Sequence, residues 1–312
     1  MQTIALLSVG NLGKYMCDEL LADGRYQFIV ISRQSYKGPF FEQRGIDVRR
    51  SDYTCDSILD ILNDTSASTL ISFNNSDGAT YIDVHRACLD ACRKSNTCKR
   101  FIPSEFAGNI DHFPNSPSYF TESRVPFREI LRQEKKVEWT ILNNGWIMDY
   151  CLPGEKKHMP SIPDEFPIDP DGWKACIRGT GDEVQSFTSG QDIARALIRL
   201  LAVPKWEPTT YITGQWSTFN DMVAAMEKFY GRPMPKTFRS QDDIHKDTLL
   251  PRTPENMQAL YLASVEEMML NAAGACPREK TLRQREEFFA DMHFTRLEEL
   301  LSEKAPRHVH DS

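Results

Sequence analysis

The sequence predicts an α/β protein, a doubly wound parallel sheet joined to a smaller C-terminal α/β lobe. Three observations carry that expectation. Short β-branched or apolar runs alternate with amphipathic stretches through the first half of the chain, as βαβ units require. A turn containing glycine stands directly after the first apolar run and opens the first helical pattern. Beyond Tyr150 the texture changes, because Pro153, Pro160, Pro163, Pro167 and Pro170 break up a segment that cannot hold a long helix.

In chain order, the runs at 3–9, 27–32, 46–49, 69–73, 99–103 and 137–143 read as strands. Apolar residues at helical spacing mark 12–22, 55–63 and 81–94. Helical patterns return at 191–202, 220–230, 255–271 and 282–301, with Thr218 and Asp221 forming an N-terminal cap for the second of these. The division expected is 1–150 and 151–312, with some later elements returning to the first unit. In the second part, the aromatics from Tyr150 through Phe166 to Trp173, with His158, suit either the wall of a substrate pocket or the core of a small lobe.

A chain of 312 residues with 40% apolar content can bury a sizeable core and still supply a second unit. The formal net charge of -7 argues against direct nucleic-acid binding or a membrane-surface role, since both need a basic face. No apolar stretch approaches the roughly 20 residues that cross a bilayer, and the short run 4–9 lacks the flank of a signal peptide. A cytoplasmic protein is expected. Of the 8 cysteines, Cys88, Cys92 and Cys98 lie in or beside one helical pattern, with His85 one turn earlier. Zinc sites draw on two paired clusters, and no second cluster has ligand spacing, so no metal is expected and the thiols read as buried and reduced.

The sharpest chemical motif is Ser8-Val9-Gly10-Asn11-Leu12-Gly13, a G-x-G-x-x-G loop whose first glycine is Ser8. Gly10 lets the backbone approach a pyrophosphate, Gly13 lets helix and strand pack closely, and the helix N-terminus supplies amide donors. This is the phosphate-binding turn of a Rossmann-type domain. About 20 residues further on, NAD-binding domains place a carboxylate against the ribose 2′-hydroxyl. Here the strand ends Ile31-Ser32-Arg33. A guanidinium suits a 2′-phosphate, with Ser32 and Lys37 as helpers, and NADP(H) is therefore the expected cofactor.

These residues resemble the NmrA-like and isoflavone-reductase-like atypical short-chain dehydrogenases, especially their fungal members. The likeness covers most of the chain. It rests on 4–13 with Arg33, Asp52-Tyr53, the run from Lys99 through Pro103-Ser104-Glu105-Phe106, Trp139-Thr140-Ile141 with Asn144-Gly145-Trp146 and Asp149-Tyr150, and Phe187-Thr188-Ser189 leading to Asp192. It implies that Phe73, Asn74, Asn75, Pro103, Ser104 and Phe106 face the nicotinamide half. It also implies a catalytic lysine at the start of the following helix, and that lysine is absent. Ser123 takes its place, with Arg124 adjacent and Tyr119 four residues earlier. Serine carries no charge and arginine keeps its proton, although arginine can stabilise an oxyanion. The resemblance therefore implies an NADPH-dependent reductase of a small conjugated, aromatic or carbonyl- or imine-bearing compound of secondary metabolism. It equally admits a non-catalytic NADP(H) sensor that signals to a protein partner, or a redox-neutral isomerase or cyclase.

Overall fold

The computed structural model describes residues 2–33, 38–154 and 157–302. Six strands form one parallel sheet in the order β3-β2-β1-β4-β5-β6. They are β1 (Gln2–Leu7), β2 (Tyr26–Ser32), β3 (Val48–Arg50), β4 (Ala67–Ser72), β5 (Arg100–Ile102) and β6 (Glu138–Trp139). Helices α1 (Asn11–Asp23), α2 (Gly38–Gln43), α3 (Cys55–Asp64), α4 (Gly78–Lys94) and α5 (Arg124–Arg132) alternate with them along the chain. Central strands of a parallel sheet are covered on both faces. Accordingly the last four residues of β1 and of β4 are all buried. Helix α1 ends on Gly24, whose φ of 68° places it in the left-handed region and whose N–H closes onto the Leu20 carbonyl. Helix α3 starts on Thr54, whose side chain accepts the Ser57 N–H.

The run expected as one strand over 137–143 divides. Its first part, β6, pairs with β5; its second, β7 (Ile141–Asn143), pairs with β12 (Thr209–Tyr211). The change of partner falls at Thr140, whose N–H still reaches the Phe101 carbonyl while the next N–H, that of Ile141, bonds the Pro208 carbonyl at 3.0 Å. Periodicity reads burial along a run and is blind to which neighbour the backbone bonds.

Compactness groups the chain into two units: Met1–Phe106, Phe120–Leu142 and Ala194–Thr210 in one, and Ala107–Tyr119, Asn143–Ile193 and Tyr211–Ser312 in the other. Helix α6 (Gly190–Ala202) has residues in each. The second unit carries two small sheets, β14-β10-β9 and β13-β11-β8. Their strands are β8 (Trp146–Ile147), β9 (Ile168–Asp169), β10 (Lys174–Arg178), β11 (Gln185–Thr188), β13 (Gln215–Ser217) and β14 (Lys236–Arg239). Helices α7 (Phe219–Tyr230), α8 (Gln241–Thr248), α9 (Met257–Glu267), α10 (Arg278–Phe288) and α11 (Leu297–Ser302) complete it. Thr218 caps α7 by accepting the Asp221 N–H at 3.0 Å, as its spacing predicts. The single helix expected over 282–301 is two, because the intervening chain turns to bring the Thr295 N–H onto the buried Asp192 carboxylate at 2.6 Å.

The aromatic segment after Tyr150 is largely core. Phe166 is buried among Trp146, Tyr150 and Phe219, with ring centroids 5.9, 5.3 and 5.6 Å away. Among the described residues no helix is long and apolar enough to cross a membrane.

Candidate cofactor and substrate site

The neighbours β1 and β4 sit where the strand order reverses, so the crevice beyond their carboxyl ends is the switch point at which open α/β sheets bind ligands. Backbone strain gathers on this edge. Of the five non-glycine residues with positive φ among the described residues, Ser8 (60°), Tyr53 (68°) and Phe106 (49°) follow β1, β3 and β5 respectively.

After β1, Ser8 donates its N–H to the Ile31 carbonyl at 2.9 Å. Gly10 precedes α1, and a Cβ there would meet nothing within 4 Å. Gly10 and Asn11 are exposed, Leu12 is half-buried, and no side chain caps the helix, so its first-turn N–H groups face outward as donors. Gly13 is the opposite case. A Cβ there would lie 3.0 Å from Val9 and 3.3 Å from the Phe73 ring, so its lack of a side chain is a packing requirement. The motif's two glycines thus divide into an open one and a packed one.

At the end of β2, Arg33 is exposed and its guanidinium lies over the Tyr53 ring, 5.2 Å from the centroid. Among the described residues no carboxylate forms an ion pair with it. The preceding Ser32 is half-buried and its carbonyl accepts the Ser51 N–H at 2.9 Å. Lys37 lies outside the described residues. Tyr53 is 6% exposed and its hydroxyl donates toward the Ile31 carbonyl at 3.5 Å. Burial raises the phenol pKa, and contact with the Ser8 hydroxyl opposes that rise.

Beyond β4 and β5, the rings of Phe73 and Phe106 stack at 5.6 Å with an interplanar angle of 5°. Asn74 is buried and its side-chain oxygen accepts from Ser76, which fixes the turn, while Asn75 is exposed. Pro103 and Ser104 are buried, and the Ser104 N–H donates to His85 Nε2 at 3.2 Å. The other ring nitrogen, Nδ1, donates to the Tyr81 carbonyl at 2.8 Å. One nitrogen accepts and one donates, so the ring is neutral; burial pushes its pKa down to about 3. His85 therefore anchors the turn after β5, and among the described residues no group of three His, Cys, Asp or Glu side chains is placed to hold a metal ion.

Of the three residues singled out for catalysis, two touch one another. Tyr119 belongs to the second unit, half-buried, with its ring 4.9 Å from that of Tyr261. Ser123 and Arg124 belong to the first, at 0% and 3% exposure. The Arg124 guanidinium packs over the rings of Tyr81 and Phe120 at 4.2 and 4.8 Å, pairs with Asp77 and donates to Ser123 Oγ at 3.1 Å. A lysine at 123 would set a second cation against that guanidinium.

No protein-family model matches the chain. It is 34% identical over 302 residues to the oxidoreductase swnR of Arthroderma benhamiae, covering 96% of each chain, and 32% identical over 296 residues to swnR of Metarhizium robertsii, covering 94% of each. The chain belongs to the isoflavone reductase-like, NmrA-like oxidoreductases. The crystal structure of isoflavone reductase shares the fold of this oxidoreductase: TM-score 0.70 at 19% identity, over 96% of this chain and 98% of that one. Tyr53 was not among the site residues expected for the oxidoreductase. It stands in the Asp52-Tyr53 pair that helped carry the resemblance, but no spacing rule assigns its ring to Arg33, because that contact joins two different strand ends.

Proposed function

We propose that this oxidoreductase is an NADPH-dependent reductase of a small conjugated, aromatic or carbonyl- or imine-bearing metabolite. The observation that carries the proposal is Arg33: an exposed guanidinium on a tyrosine ring, free of carboxylate pairing among the described residues, at the strand end where NAD-specific domains put an acid. The residues present fit the cofactor. Gly10 and the uncapped N-terminus of α1 would hold the pyrophosphate, Arg33 with Ser32 the 2′-phosphate, and Phe73, Asn74, Pro103, Ser104 and Phe106 the nicotinamide half. When bound, the dinucleotide supplies hydride. A structure of similar fold adds support, since leucoanthocyanidin reductase is solved as a binary complex with NADPH.

Tyr119, four residues before Ser123, is the proton-bearing candidate. Arg124 is spent on Asp77 and Ser123, which favours a second reading, a non-catalytic NADP(H) sensor acting on a protein partner. NADPH oxidation with phenolic, quinonoid and imine acceptors separates the two. Turnover with any of them establishes the reductase; tight NADPH binding with no turnover across the set establishes the sensor.

A further inference from the structure

We propose that Tyr53 is a positioning residue that sets dinucleotide selectivity, its ring holding the Arg33 guanidinium in place at the end of β2. The proposal rests on the NADP(H) reading above.

Tyr53 is held in an unusual way. Its φ of 68° is left-handed, a conformation disfavoured for an aromatic residue, and such residues persist only where their surroundings over-determine them. The surroundings here do so. The Tyr53 N–H donates to Ser51 Oγ at 2.9 Å, which also accepts from Ser57 Oγ at 2.9 Å. The Asp52 carboxylate accepts the Thr54 N–H and hydroxyl at 2.9 and 2.7 Å, and Thr54 caps α3. The loop after β3 is thereby locked with a buried ring turned under Arg33.

An arginine side chain has many rotamers, and ordering it costs binding free energy whenever a ligand arrives. A ring beneath the guanidinium narrows that search before binding and leaves its N–H edge available for a phosphate. Ser8 adjoins the device. The Tyr53 hydroxyl reaches the Ile31 carbonyl at 3.5 Å, and the same carbonyl accepts the Ser8 N–H at 2.9 Å. The ring under Arg33 and the turn after β1 are thereby referred to one backbone atom of β2.

The test titrates the full chain with NADPH, NADH and 2′,5′-ADP by calorimetry. Tyr53→Leu is expected to weaken NADPH and 2′,5′-ADP about threefold to tenfold and leave NADH unchanged, the scale of one exposed cation–ring contact. Tyr53→Phe keeps the ring and should keep the NADPH-to-NADH ratio within about twofold. If Tyr53→Leu fails to fold, Tyr53→Asn is used, since asparagine tolerates the left-handed backbone; the same selective loss is expected. In an Arg33→Ala background the Tyr53 substitutions should no longer alter the ratio. Folded Tyr53→Leu or Tyr53→Asn protein with an unchanged ratio, or an equal loss of both dinucleotides, overturns the proposal and leaves the cofactor reading standing. Equal NADPH and NADH affinity in the unmutated protein overturns both.

Discussion

Arg33 and Arg124 each lie over a tyrosine ring, at 5.2 and 4.2 Å. Their states are opposite. Arg33 is exposed and meets no carboxylate among the described residues; Arg124 is buried, paired with Asp77 and bonded to Ser123. A guanidinium of the first kind can answer an arriving anion. One of the second kind has already exchanged its water for protein partners and gives up stability if it leaves them. The comparison teaches that one sheet carries an exposed guanidinium at the end of β2 while Ser123 and Arg124, at the start of α5, are part of the packing.

The contrast can be broken most forcefully at Gly10. A valine there finds no protein atom to clash with, yet its side chain occupies the space a pyrophosphate needs. Gly10→Val should lower dinucleotide affinity a hundredfold or more, roughly 3 kcal/mol, by calorimetry. Its melting temperature should stay within about 3 °C of the parent.

The two arginines give the next largest difference. Arg124→Ala removes a buried side chain from between Tyr81 and Phe120 and should cost about 2–4 kcal/mol in urea unfolding. Arg33→Ala should cost less than about 0.5 kcal/mol in the same experiment, being a surface change. Similar losses from both would erase the distinction between an open cation and a packed one.

His85 sharpens the account of the turn after β5. Its pKa is about 3 in the folded protein, against an ordinary value near 6.5, so the unfolded chain binds the extra proton first. Its contribution to stability is therefore complete above pH 6.5 and is lost as pH falls toward 3. Between pH 6.5 and pH 5 the His85-dependent loss should be about 2 kcal/mol. Replacing His85 with Gln should flatten that part of the pH–stability curve, and an unchanged slope would assign the proton elsewhere.

The smallest effect is expected at Ser8. Ser8→Gly relieves a left-handed serine but gives the unfolded chain more freedom, and the two changes oppose each other. Stability should move by less than about 1 kcal/mol, and NADPH binding should persist.

These positions also mark what the amino-acid sequence discloses. Five strands of the large sheet, the start of the sixth, three of the helices between them and the tight packing of Gly13 are written locally, in burial period and turn chemistry. Arg33 was legible because its distance from the loop is fixed by one βαβ unit. Tyr53 was not, since its contact with Arg33 depends on two strand ends meeting side by side. The burial of Ser123 and Arg124 was equally hidden, because a serine and an arginine before a helix read as exposed until Asp77, Tyr81 and Phe120 are brought to them. The divided strand at Thr140 and the divided helix before Leu297 failed for a related reason: apolar spacing records burial, whereas hydrogen bonds from distant carbonyls and carboxylates decide where an element stops.

The most direct test of the cofactor edge is a calorimetric titration of the unmutated protein and of Arg33→Ala with NADPH and NADH under identical salt. The account predicts that the unmutated protein binds NADPH at least about tenfold more tightly than NADH, and that Arg33→Ala removes most of that preference by losing charge-assisted hydrogen bonds worth about 1.5–3 kcal/mol. Equal affinities in the unmutated protein, or a preference that survives Arg33→Ala intact, would contradict it.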